Sequence, residues 1–308
     1  MGRCTLFLAL LLLACCSVHS LASLEKQNKL VAPLAFIPGG KKRDFSWPRE
    51  ATALYEGVKE KLEGLMSSVA LGSDPNPALD VQGEADHSKY LADLEDAKSY
   101  AFEVMRPEGW SQVAERGGVK AHKKYLPQSA YGSKYPCVKA EGVIQGSPAE
   151  VKEMMLDSER VLEYNKYSKG RDDVYHLDSD IKIVWNKTKP PLSKKLHDFC
   201  TIMRVIPGGD GGYILLTRAT SHPEAPSLPN HVRSEIMLGV TALKPVPGDT
   251  NKTYITTVNH VVSNGVPAMV ADRVSTKNAI DFIHNVGNAV SGAVAATVEE
   301  MEEVADWE

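Results

Sequence analysis

WNKTKPPLSKKLHDFCTIMR, residues 185–204, carries the pattern that decides the fold: one strand-like run ends at Thr188, a proline-bearing loop starts at Lys189, and a second run begins at Phe199. Outward from it, CVKAEGVIQGSPAEV fills residues 137–151 and RATSHPEAPSLPNHVRSEI residues 218–236. Runs rich in Val, Ile, Thr and Tyr recur at 119–126, 134–144, 180–188, 199–206, 212–220, 232–243 and 253–263, and together they predict a sheet. Ser147-Pro148-Ala149-Glu150 combines a capping serine, proline at the first helical position and glutamate three residues after the cap, so a short helix should run to Leu156. The glycines of 208–212 join two strand-like runs and read as a hairpin turn; a dinucleotide loop would open a helix.

Helical spacing appears elsewhere. Ala51, Leu54, Val58, Leu62, Leu65 and Val69 make residues 48–70 an amphipathic helix, and the Pro75 and Pro77 region marks 72–83 as a linker. A second helix is predicted over 84–105, ending before Pro107. A long last helix is predicted over 267–301, with Val270, Val274, Ile283, Val286, Val290, Val294 and Val298 recurring mostly three or four apart.

Several words occur in a telling order: Glu141-Gly142-Val143-Ile144 before Ser147-Pro148, Lys189-Pro190-Pro191-Leu192-Ser193, Asp198-Phe199, His222-Pro223, and Arg233-Ser234-Glu235-Ile236. From about residue 110 to 288 the chain resembles a START (steroidogenic acute regulatory protein related lipid transfer) domain. The resemblance implies an α+β, helix-grip fold. In it a curved antiparallel sheet wraps a long C-terminal helix and encloses an apolar cavity, here with an N-terminal helical extension. It also implies non-catalytic binding and transfer, or sensing, of a single lipid, with no cofactor and no metal. The chain departs from the family at Tyr164-Asn165, where a tryptophan followed by Asp or Asn is usual, at Gly265-Val266-Pro267, and at His197, which stands in an arginine position.

Bulk properties narrow the alternatives. A net charge of -4 and the absence of a basic stripe argue against nucleic acid. Arg3 followed by an apolar run over 5–16 and small residues reads as a signal peptide, too short to span a bilayer. Its removal takes Cys4, Cys15 and Cys16 and leaves Cys137 and Cys200, expected as unpaired thiols. The organisation is then 1–22 signal peptide, 23–83 N-terminal arm, 84–298 lipid-binding domain and 299–308 acidic tail. The leader sends the chain into the secretory pathway, for secretion or an endomembrane lumen; Phe36, before a basic run, adds a secondary plastid as an alternative. A monomer touching membranes transiently is expected.

Within the strand at 199–206, alternation puts Arg204 on one face with Cys200, Ile202 and Ile206. By resemblance that arginine lies in the cavity, and the acid that often accompanies it is replaced by Asn186. Arg204 would then want a lipid phosphate or carboxylate, and a phospholipid is the leading ligand. Exposure at a strand end, or pairing with Glu141 or Glu235, is the alternative. Arg233, Ile202, Ile283 and Val286 complete the expected ligand-binding set, and Pro267, Met269 and Val270 form the expected gate. No nucleophile motif or metal-ligand spacing occurs, although a cavity enzyme remains the alternative, with His222, His231 and His260 the residues to inspect.

Overall fold

The computed structural model describes residues 56, 60, 81–126, 134–190 and 193–292. Helix α1 (Val81–Met105) precedes strands β1 (Ser111–Arg116), β2 (Val119–Lys124) and β3 (Cys137–Gln145). Two short helices follow, α2 (Pro148–Leu156) and α3 (Val161–Tyr164). Then come β4 (Ser168–Asp178), β5 (Ile181–Thr188), β6 (Leu196–Gly209), β7 (Gly212–Ala219), β8 (His231–Arg233), β9 (Glu235–Val246), β10 (Asp249–Val262) and the closing helix α4 (Ala268–Val290).

The strands hydrogen-bond in the order β1-β2-β3-β10-β9-β7-β6-β5-β4, every neighbouring pair antiparallel, while β8 runs parallel to the start of β6. Successive side chains of a strand leave opposite faces, and both faces of this sheet are covered. The inner face joins Val138, Ala140, Leu215 and Ile255 to Met154 of α2 and Ile283 of α4. The outer face buries Ala97, Tyr100, Ala101 and Val104 of α1 against Ile214, Leu216, Leu238 and Val240. The sheet is curved and antiparallel, and α4 lies across its inner face in the helix-grip arrangement.

Local chemistry fixes the ends of these elements. Ser147 and Glu150 complete the capping box of α2: Glu150 Oε2 accepts from Ser147 N at 2.7 Å, and Ser147 Oγ accepts from Glu150 N at 3.3 Å. Helix α1 has no basic residue in its last turn. Lys124 of β2 supplies the charge, its Nζ lying 3.0 Å from Val104 O, 3.1 Å from Arg106 O and 3.5 Å from Glu103 O. The second half of α4 sits close to β3: a Cβ on Gly287 would come within 3.1 Å of Ile144, and one on Gly146 (φ +98°) would overlap Val290.

Three expectations change. Strands β1, β4 and the short β8 add to the predicted runs, β8 being split from β9 at Ser234. Helix α1 starts at Val81, inside the predicted linker, with no proline between Pro77 and that start. Helix α4 ends at Val290, where Gly292 (φ +68°) leaves helical geometry, rather than at 301. The helix at 48–70 is seen at Glu56 and Glu60, both helical and exposed; the rest of it, the leader, the arm and the acidic tail lie outside the described residues. Cys137 and Cys200 are free and buried, and burial pushes the Cys137 thiol up to about 11.

Candidate functional site

A cavity of about 410 Å³ opens between α4, α2, α3 and the inner face of the sheet. Its apolar lining includes Met155, Val161, Val184, Phe199, Met203 and Ile236 from α2, α3 and the sheet, closed by Val270, Val274 and Phe282 of α4.

The sheet floor is more polar than a dry core would be. Thr201, Thr217, Thr241 and Asn259, on four different strands, all line the cavity. Gly239 lies in register between Thr217 and Asn259, and a Cβ there would overlap Thr217 Oγ1 and come within 3.5 Å of Asn259 Oδ1. Its bare backbone lets the two polar side chains share the floor. Asn186 Nδ2 donates to Thr201 Oγ1 at 3.4 Å.

Charged groups concentrate on the wall built by β4 and α3. Arg171 and Asn186 stand directly opposite each other on β4 and β5, so their side chains share the inner face. The buried guanidinium donates from Nε to Ser158 Oγ (2.8 Å), from Nη1 to Tyr164 Oη (3.1 Å) and from Nη2 to Met155 O (2.9 Å). Burial pushes the Tyr164 phenol up despite the neighbouring guanidinium. Asp281 of α4 is held by Lys166 at 2.7 Å and by Arg116. Burial acts to raise that carboxyl, yet the two cations outweigh it and keep it below the ordinary carboxylate range. Asn278 Oδ1, also on the lining, is buried without a hydrogen-bond partner.

At the mouth, Tyr135 Oη lies 3.3 Å from both Ser263 O and Val266 O, tying the loop before α4 to the segment before β3. Pro267 is the N-cap of α4 and offers no side-chain cap. Val270 lines the cavity, and Met269 beside it is 71% exposed.

Of the residues expected to bind ligand, Asn186 lines the cavity and the other five do not. Arg204 pairs with Asp180 at 3.1 Å, and Ile202 is buried under α1 with Tyr90 and Leu94. The alternation that grouped them was right, but their face is the outer one: Phe199, Thr201 and Met203 point inward. Ile283 and Val286 are fully buried in the inner core, where α4 packs against β2 and β3. Arg233 pairs with Asp198, its Nη2 at 2.6 Å, rather than with Glu235. Arg218 is half-buried and pairs with Asp96 of α1. Cavity residues that sequence reasoning missed include Arg171, Tyr164, Asn278 and the polar floor; strand parity was the available signal for Asn259 and Thr201.

The sequence words that carried the resemblance do structural work beside the cavity. Asp198 Oδ2 accepts from Trp185 Nε1 (2.9 Å) and Arg233 Nε (2.9 Å), while Arg233 Nη2 also donates to Ala225 O (2.8 Å) and Pro226 O (3.0 Å). His197 Nδ1 lies 2.9 Å from Ser234 Oγ, and Ser234 N donates to Asp198 O at 2.9 Å. Together they latch β8 to β6 and pin the proline-rich loop.

With that geometry in hand, comparison with known proteins is direct. The START domain matches residues 95–291 of the chain. The mouse (Mus musculus) StAR-related lipid transfer protein 5 is 25% identical over 210 residues, 64% of this chain and 94% of that protein. The human StAR-related lipid transfer protein 5 structure superposes with a TM-score of 0.59 at 20% identity, covering 67% of this chain and 98% of that one. Human STARD10 gives a TM-score of 0.55 at 16% identity, over 76% and 87% respectively.

Proposed function

The chain belongs to the START domain family, whose domains bind and transfer lipids, and from that premise we propose that its cavity carries one lipid at a time without altering it chemically. The observation that carries this reading is a largely apolar chamber of about 410 Å³ enclosed between the sheet and α4. That volume lies toward the lower end of the range of roughly 300–1,000 Å³ typical of ligand pockets. A single-chain or compact ring lipid fits it as it stands. A diacyl phospholipid, the class the sequence suggests, requires the first turns of α4 to swing outward.

Those turns are the natural gate. The second half of α4 is held by Asp281 and by the close approach of Gly287 to β3, and the first by Asp272, which pairs with Lys123 at 2.8 Å and accepts from Tyr125 Oη at 2.9 Å; Pro267, Met269 and Val270 stand ahead of that tie, where α4 begins to roof the chamber. Movement of the turn ahead of Asp272 leaves those ties in place, and exposed Met269 is placed to touch a membrane during exchange. Transport rather than catalysis is supported by the lining: His222, His231 and His260 all lie outside it. His260 bonds Tyr100 on the outer face, and His222 stacks on Tyr175. The leader would deliver this carrier into the secretory pathway.

Native mass spectrometry of the protein after incubation with a mixed lipid extract tests the reading. One unmodified lipid bound per chain is the expected result. Release of a chemically changed species would transfer the case to an enzyme, and failure to load even from donor liposomes would end the transfer proposal.

A further inference from the structure

We propose that the β4/α3 wall of the cavity, centred on Arg171, receives an anionic head group, a carboxylate or a phosphate monoester, of the bound lipid. The inference rests on the lipid-carrier reading and deepens it by naming the charge that the ligand bears.

Arg171 is 8% exposed and lines the cavity, and among the described residues no carboxylate lies within ion-pair distance of it. Its three hydrogen bonds all go to neutral oxygens, of Ser158, Tyr164 and Met155. A guanidinium has five N–H donors, so one on each terminal nitrogen remains for a further acceptor. Two parallel donors on adjacent nitrogens match the two oxygens of a carboxylate or phosphate. A buried charge with no partner of opposite sign is costly, and a ligand anion would remove that cost.

The nearest acid does not neutralise this site. Ser158 Oγ, which accepts from Arg171, donates in turn to Asp173, but Asp173 already takes both its oxygens to Lys182 Nζ, at 2.8 and 2.9 Å. Two cations therefore share that carboxylate. Asp281, also on the lining, is likewise shared by two cations, Lys166 and Arg116. Asn186, opposite Arg171, adds amide hydrogen-bonding capacity without adding an acid.

Tetradecanoate, tetradecyl phosphate and tetradecanol share one saturated chain and differ in head group, and they are the probes, titrated calorimetrically into the delipidated full chain at pH 7.5. The expected result is that at least one anion binds roughly ten- to a hundredfold more tightly than the alcohol, the better anion showing which head group the site takes. Arg171→Gln should abolish that preference while leaving the alcohol within about twofold, and Arg204→Gln, on the other face, should change neither.

Equal affinity for the alcohol and both anions in the unaltered chain would overturn the head-group assignment and leave the carrier reading standing, as would a preference that survives Arg171→Gln. Should that variant fail to fold, the comparison of the three probes on the unaltered chain still decides. If none of the three binds, the cavity reading itself falls and the head-group assignment with it.

Discussion

His260 shows how a residue outside the cavity can set the pH range of the protein. It is fully buried on the outer face, with Nδ1 2.5 Å from Tyr100 Oη, and burial, aided by the charge of Arg218, lowers its pKa from 6.5 to about 4. The folded chain thus keeps the imidazole neutral where the unfolded chain protonates it. Stability from this residue is complete above pH 6.5, falls as the pH drops toward 4, and levels off below; the full loss is about 3 kcal/mol. Denaturant unfolding at pH 7.5 and pH 4.5 should show it, with His260→Asn losing less on acidification by about that amount. His122 and His197 are also held low, chiefly by burial, and act in the same direction, so the difference between variant and parent is the quantity to read. At this scale the sequence was legible in grouping and illegible in orientation. Arg204, Cys200 and Ile202 do share a face, yet both faces of the sheet are apolar, and only the position of α1 tells which is the outer one. Arg171 was invisible because its significance depends on cross-strand register with Asn186, fifteen residues away.

Elements whose signals are local were read almost to the residue. Helix α2 ends at Leu156 as expected because its capping box lies within four consecutive residues, 147–150. The hairpin at 208–212 likewise announces itself through glycine, and Asp210 and Gly209 both adopt positive φ there. Strand β4 left no such trace. It lies at an edge of the sheet with most of its residues exposed or half-buried, and SKGRDDVYHLD is the charged composition that keeps an edge from pairing with another chain. The C-terminus of α1 was hidden for a different reason: its cap comes from β2. Burial lowers the Lys124 pKa, and its ammonium nonetheless reaches three carbonyls at the helix end. Lys124→Met should destabilise the fold by about 1–2 kcal/mol. Hydrogen exchange should localise the loss to the last turn of α1, and unchanged protection there would show that the turn holds without its cap.

For the whole molecule, fold was far more legible than site. The words around Asp198, Arg233 and Ser234 identify the architecture because they latch one crossing of the chain, whereas the lining is spread over strands and helices whose residues meet only after folding. The chamber itself has a mechanical consequence. Close-packed interiors barely compress, so a chain freed of lipid concentrates its compressible volume in this one region of about 410 Å³. Hydrostatic pressure favours whichever state eliminates void, and the volume change of unfolding scales with the void removed. The lipid-free protein should therefore lose its tryptophan emission signature at a lower pressure than the loaded one. Equal pressure midpoints would mean that water, admitted by the polar floor, already occupies the space. Where the lipid-free protein gives way first, cargo acts as ballast does on a hull, setting the depth at which the walls yield.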